Sequence, residues 1–173
     1  MLKRAVLLVS VVAAGFSVGE TSLATDGDET GVIATFENEL INLANGWGDA
    51  GACVVDDRGA RCYRTQAELE SSEANRGIGK SALMATCATS LTLYSGANQT
   101  GSALSLSARG TSINLSSYGF NNITSSYSIG ACAARLYNGS AGSGLYPGNT
   151  SAGAGASSML FGWDNTISTV YIL

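Results

Sequence analysis

Asn121-Asn122-Ile123-Thr124-Ser125-Ser126 is answered 43 residues later by Asp164-Asn165-Thr166-Ile167-Ser168-Thr169. Each run is a pair of Asn or Asp residues, two spacers and two hydroxyl residues. Such runs offer side-chain oxygens and loop carbonyls, the ligands that hard cations such as Ca²⁺ prefer. The same step superposes Leu93 on Leu136, Tyr94 on Tyr137, Gly96 on Gly139, Gly101 on Gly144, Gly110 on Gly153, Gly119 on Gly162 and Ile129 on Ile172. Chance matching in a Gly- and Ser-rich tract favours Gly and Ser. Here Tyr, Leu and Ile also match, in one ungapped register. The repeat is therefore real, and two copies fit one compact domain better than a solenoid, which needs three or more.

Around these runs the texture is that of a β protein. Leu91, Leu93, Leu104 and Leu106 alternate with Thr92, Ser95 and Ser105, and Gly- and Asn-rich turns separate short strands. Period-2 patterning with frequent turns predicts an all-β sandwich. From Ser81 onward only Arg109, Arg135 and Asp164 carry formal charge. Regular apolar positions with so little charge are the opposite of a disordered composition. The whole chain of 173 residues has a net charge of −4, which argues against binding nucleic acid or an anionic membrane surface.

The N-terminus carries an address. Lys3 and Arg4 precede an apolar stretch from Ala5 to Val18, and Ser22-Leu23-Ala24 is a small-x-small cleavage site. This is the pattern of a secretory signal peptide over residues 1–24, too short for a comfortable membrane span. The mature chain is expected to start at Thr25 and to be secreted. Four cysteines in an exported chain predict two disulfides. Of the three pairings, Cys53–Cys62 and Cys87–Cys132 are favoured, contributing about 2.7 and about 4 kcal/mol in the loop-entropy description. There is no CxxC and no His to make a zinc site.

Residues 25–84 are expected to form an N-terminal extension, and residues 85–173 the repeat domain. Strands are predicted at Val32 to Phe36 and Glu39 to Leu43. A hairpin of Ala52 to Val55 with Ala60 to Arg64 surrounds Asp56-Asp57-Arg58-Gly59 and brings Cys53 near Cys62. Thr65 and Glu68 form a capping box that opens a helix over Gln66 to Asn75, stopped by Gly77 and Gly79. With little beyond Ala67 and Leu69 apolar, it reads as a solvated connector.

Each repeat opens with a folded hairpin, Tyr94-Ser95-Gly96-Ala97-Asn98-Gln99-Thr100-Gly101 and Tyr137-Asn138-Gly139-Ser140-Ala141-Gly142-Ser143-Gly144. An opening Tyr and a closing Gly, followed by an N/D-N/D-x-x-S/T-S run, resemble the Greek keys of the βγ-crystallin superfamily, microbial secreted type. Gln99 and Gly142 replace the usual inner aromatic, and Thr169 replaces the final Ser. The resemblance covers about Ala88 to Leu173. It implies a βγ-crystallin-like two-Greek-key β-sandwich with a small N-terminal hairpin and helix extension. It also implies two calcium sites related by a pseudo-twofold. Asn122, Asn165, Ser125 and Ser168 would supply side-chain oxygens. Ile123 and Thr166 would supply carbonyls, with another near Gly96 and Gly139. Only Asp164 is anionic among the motif residues, so the expected affinity is weak, about 10⁻⁴ to 10⁻³ M or weaker.

Two functions compete. The first is a secreted, non-enzymatic, structural βγ-crystallin-type domain that binds calcium weakly as a monomer. The second is a proteinaceous inhibitor of extracellular metalloproteases, since some bacterial inhibitors share this fold. Arg109-Gly110-Thr111 or Tyr146-Pro147-Gly148 would enter the protease cleft. An enzyme is not expected. Without His there is no Ser-His-Asp triad, and a glycosidase pair would have to join Asp164 to Asp49, Asp56, Asp57 or Glu68. Trp47, Tyr118, Phe161 and Trp163 read as packing residues before they read as a carbohydrate-stacking surface. Asn98, Asn114, Asn122, Asn138 and Asn149 stand in N-x-S/T sequons, which so Ser/Thr-rich a chain produces by chance.

Overall fold

The structure, a computed structural model, describes residues 31–75 and 91–173. The expected export signal, Thr25, Gly77, Gly79, Cys87 and the expected boundary between residues 84 and 85 lie outside the described residues. The strands are β1 (Ile33–Phe36), β2 (Glu39–Asn42), β3 (Ala52–Asp56), β4 (Gly59–Tyr63), β5 (Leu91–Gly96) and β6 (Thr100–Leu106). They continue with β7 (Ser112–Asn114), β8 (Ser126–Ile129), β9 (Ala134–Tyr137), β10 (Gly155–Ala156) and β11 (Thr169–Ile172), and helix α1 is Gln66–Asn75. No helix among the described residues is long and apolar enough to cross a membrane.

Two sheets face each other, ordered β10-β8-β5-β6-β3-β4-β1-β2 and β7-β11-β9. The Greek-key character lies in an exchange between them. β7 belongs by sequence to the first repeat but pairs with β11 of the second. β10 belongs to the second repeat but pairs with β8 of the first. Each key thus lends its third strand to the other, and the fold is the two-Greek-key sandwich expected. The copies differ at β6. Its counterpart in the second key is reduced to a single bridge between Tyr137 and Leu145. Gly142 and Gly144 both have positive φ there, and Pro147 follows; none of the three favours a continuous strand.

Alternation turns Leu91, Leu93, Leu104, Leu106, Tyr127 and Ile129 of one sheet toward Leu136, Val170 and Ile172 of the other. All are at most 1% exposed, and Phe120 and Ile167 complete the interior. Leu43, Cys53 and Cys62 belong to the same core. The N-terminal strands reach it because β3 pairs in parallel with β6, Cys53 opposite Leu104. Cys53 and Cys62 are directly opposed in the β3–β4 ladder, with Cα atoms 4.1 Å apart, and are disulfide-bonded. Cys132 is not free, and its expected partner Cys87 lies outside the described residues.

Helix α1 has the expected bounds, and the Thr65 hydroxyl accepts from the Glu68 amide at 3.1 Å. The Glu68 carboxylate reaches back one residue further than expected, to the amide of Arg64. The connector reading needs correction, because Leu69 and Glu73 are 5% and 1% exposed. Leu69 packs with Ala52, Val54, Tyr94 and Ala103. Glu73, one turn on, accepts from Arg61, Arg58 and the Tyr63 hydroxyl. Half of the buried face is a carboxylate, so it was invisible as an apolar stripe.

Candidate metal site

Each Asn/Ser loop follows a positive-φ glycine and an aromatic, Gly119-Phe120 in the first copy and Gly162-Trp163 in the second. Phe120 is fully buried, and Trp163 is half-buried with its ring 5.3 Å from that of Tyr146. These rings seat the loops on the core. Asn122 and Asn165 then turn the chain through the left-handed region, at φ 57° and 55°. Asn is among the few side chains that tolerate that region, which is one reason it recurs at both positions.

The backbone bonds that hold the loops are paired by the pseudo-twofold. The Asn122 amide donates to Ile167 O and the Asn165 amide to Thr124 O, at 2.9 and 3.0 Å. The Ser125 amide donates to Tyr94 O and the Ser168 amide to Tyr137 O, both at 2.8 Å. Each loop is therefore fixed by the opposite loop and by its own key's opening tyrosine.

The side chains follow the same symmetry. Ser168 Oγ donates to Asn122 Oδ1 at 2.9 Å, and Ser125 Oγ donates to Asn165 Oδ1 at 3.3 Å. The four expected side-chain ligands form two crossed pairs, one residue from each key. Oxygens at these separations can share one ion held at the roughly 2.3–2.6 Å typical of Ca²⁺–O contacts. The Ile123 and Thr166 carbonyls take no part in the backbone hydrogen bonds among the described residues. The donor set fits a hard cation in kind. Its weakness is charge: among the described residues no three His, Cys, Asp or Glu are grouped so that they could hold a metal ion. Asp164, whose carboxylate accepts from the Asn165 amide group at 3.4 Å, is the one anion in the motifs.

Two features escaped the sequence reading. The first is how the hairpin carbonyls are used: Asn138 O, next to Gly139, lies 3.5 Å from Ser168 Oγ. Gly96 O is engaged: Ser126 Oγ donates to it at 2.6 Å while accepting from the Gln99 amide at 3.0 Å. Ser126 thus staples the first hairpin to its loop, and its counterpart Thr169 makes no such bond among the described residues. The second feature is the N-terminal cover over the first loop. Val32 N donates to Ser117 O and Trp47 Nε1 to Tyr118 O, each at 2.8 Å. A readable signal existed for it. Ile41-Asn42-Leu43 repeats Ile113-Asn114-Leu115, and both Asn side chains cap a 3-10 turn.

The other candidates are dispersed. The Trp47 ring lies against Phe120 and that of Trp163 against Tyr146, so neither tryptophan is presented as a stacking platform. Tyr146 is 3% exposed, and its hydroxyl accepts from the Leu160 amide, so Tyr146-Pro147-Gly148 offers no free Tyr side chain. Arg109 is exposed, its guanidinium donating to Leu173 O at 2.8 Å.

Among solved structures, a βγ-crystallin from Ciona intestinalis is similar at 23% identity, over 48% of this chain and 98% of that one, with a TM-score of 0.41. The N-terminal domain of protein S is 21% identical over 49% of this chain and 94% of that one, at 0.40. A βγ-crystallin domain from Flavobacterium johnsoniae is 22% identical over 48% and 92%, at 0.37. The likeness is one of fold. No family model matches the chain, and no curated protein matches it.

Proposed function

We propose that the mature chain is an exported, non-enzymatic βγ-crystallin-type domain whose paired loops bind calcium weakly and whose role is structural. The observation that carries this reading is the crossed pairing of Asn122 with Ser168 and of Asn165 with Ser125. It places four neutral oxygens from two keys in two equivalent clusters. Neutral ligands compensate poorly for dehydrating Ca²⁺, which keeps the affinity in the range of about 10⁻⁴ to 10⁻³ M, or weaker. A non-enzymatic role accords with the carboxylates outside the loops. Asp56 is held by two arginines and Glu68 caps α1.

Thermal melts of the mature chain in EGTA and in millimolar calcium test the proposal. Calcium is expected to raise Tm, in the wild type but not in Asn122→Ala/Asn165→Ala. Equal melting temperatures in wild type, with no heat in a calcium titration, would remove the ligand assignment. The inhibitor reading rests on the exposed Arg109 loop. It predicts loss of activity of a thermolysin-like protease at micromolar excess of the chain, and full residual activity sinks it.

A further inference from the structure

The sequence holds two Asn-Gly pairs, Asn45-Gly46 and Asn138-Gly139. Such a pair can close on itself, because the glycine nitrogen attacks the asparagine side-chain carbon with no Cβ in the way. The fold treats the two pairs differently. Asn45 ends the 3-10 turn Leu43–Asn45, and the Gly46 amide donates to Leu43 O at 3.2 Å. That nitrogen is tied down. Asn138 stands just past β9, exposed, where the second hairpin opens. Its own amide donates to Gly144 O at 3.0 Å. The Gly139 amide makes no hydrogen bond among the described residues, and neither does the Asn138 carboxamide. The carboxamide lies over Gly144, whose lack of a Cβ gives it room. The attacking nitrogen and the carbon it attacks are therefore both free. The first key has no such pair, since its equivalent residues are Ser95 and Gly96.

We propose that Asn138 is a site of spontaneous deamidation, a modification that needs no enzyme and no co-reactant beyond water. The Gly139 nitrogen bonds to Asn138 Cγ, and the Cγ–Nδ2 bond breaks. The proton of that nitrogen leaves with the departing amide group as ammonia, and a succinimide ring remains. Water then opens the ring at either of its carbonyls, giving aspartate or isoaspartate. Asparagine and water become the acid and ammonia, and nothing is oxidised or reduced. The change is large for this part of the chain. From Ala134 onward the only charged side chains are Arg135 and Asp164. A carboxylate at position 138 takes the second key from balanced to net negative. It enters the hairpin whose Asn138 carbonyl lies 3.5 Å from Ser168 Oγ. The isoaspartate product also lengthens the main chain by a methylene, beside the bond from Asn138 N to Gly144 O.

Peptide mapping by mass spectrometry, after the native chain has stood in warm, mildly alkaline buffer, tests this. The peptide holding Asn138 is expected to gain the mass difference between a hydroxyl and an amino group, and to separate into two products on chromatography. The peptide holding Asn45 should lag well behind. Gly139→Ala should slow the conversion by an order of magnitude or more. That variant should fold, since a Cβ there meets only Ser143 Oγ, the end of a rotatable side chain, at 2.9 Å. The urea-unfolded chain, in which both pairs are released, is the control, and there the two should convert at similar rates. Conversion of Asn45 as fast as Asn138 in the native chain overturns the proposal. So does a native Asn138 that stays intact while the unfolded chain converts it, or a Gly139→Ala rate equal to that of wild type.

Discussion

The hydroxyl of Ser168, in the second key, donates to the side-chain oxygen of Asn122, in the first, at 2.9 Å across 46 residues of sequence. With its counterpart from Ser125 to Asn165 it joins the two loops directly. Each bond should therefore be measurable in EGTA. Ser168→Ala is expected to lower stability by about 1 kcal/mol, and a double-mutant cycle with Asn122→Ala to give a coupling of about 0.5–1.5 kcal/mol. Urea unfolding measures both, and additive effects would deny the contact.

The N-terminal cover on the first key makes a paired prediction. Gly119 and Gly162 both have positive φ, 63° and 80°. Alanine at Gly162 meets only the left-handed strain of about 1–2 kcal/mol. Alanine at Gly119 adds a clash with the Leu43 carbonyl, so its destabilisation should exceed that of Gly162→Ala by at least about 1 kcal/mol. Equal losses in chemical denaturation would mean that residues 32–47 do not sit on this turn.

Thr124 is fully buried, and its hydroxyl has no hydrogen-bond partner among the described residues. The equivalent position of the second key is Ile167, also fully buried. Thr124→Val keeps the shape and removes the unsatisfied group, so it should stabilise the chain by about 1–2 kcal/mol, read as a higher urea midpoint. A lower midpoint would show that the hydroxyl has a partner.

Asp56 lies between Arg58 and Arg61 with its side chain 5% exposed. Burial alone would raise its pKa; the hydrogen bonds from Arg61 and Arg58 outweigh that and hold the carboxyl well below the ordinary range. A depressed folded pKa gives stability that is fully present above the unfolded value, about 3.9, and is lost as pH falls toward the folded one. The urea midpoint should therefore drop between about pH 5 and pH 2, and less so in Asp56→Asn than in wild type. Parallel curves for the two proteins would show that Asp56 contributes nothing to acid sensitivity.

The two keys and their paired loops were readable because a single step of 43 residues carries both the hydrophobic register and the loop residues; the crossing of Asn122 with Ser168 and of Asn165 with Ser125 was not. The Cys53–Cys62 bridge was readable because both strands and their turn are local. The parallel pairing of β3 with β6 was not. Alternation says which face a strand buries, but not which strand lies beside it. Glu73 was missed because its burial depends on Arg58, Arg61 and Tyr63, which meet it only when the helix folds back onto the hairpin. The Ser126 staple was hidden for a similar reason: its partners, Gly96 and Gln99, lie in a hairpin whose folded shape brings them within reach.

The central claim is that the crossed Asn and Ser pairs are two calcium sites. A calcium titration of ¹⁵N-labelled mature chain followed by amide shifts tests it most directly. The account predicts saturable shifts confined to residues 121–126 and 164–169 and the two opening hairpins, half-complete at about 10⁻⁴ to 10⁻³ M or above. Shifts elsewhere in the fold, or none by tens of millimolar, would contradict it.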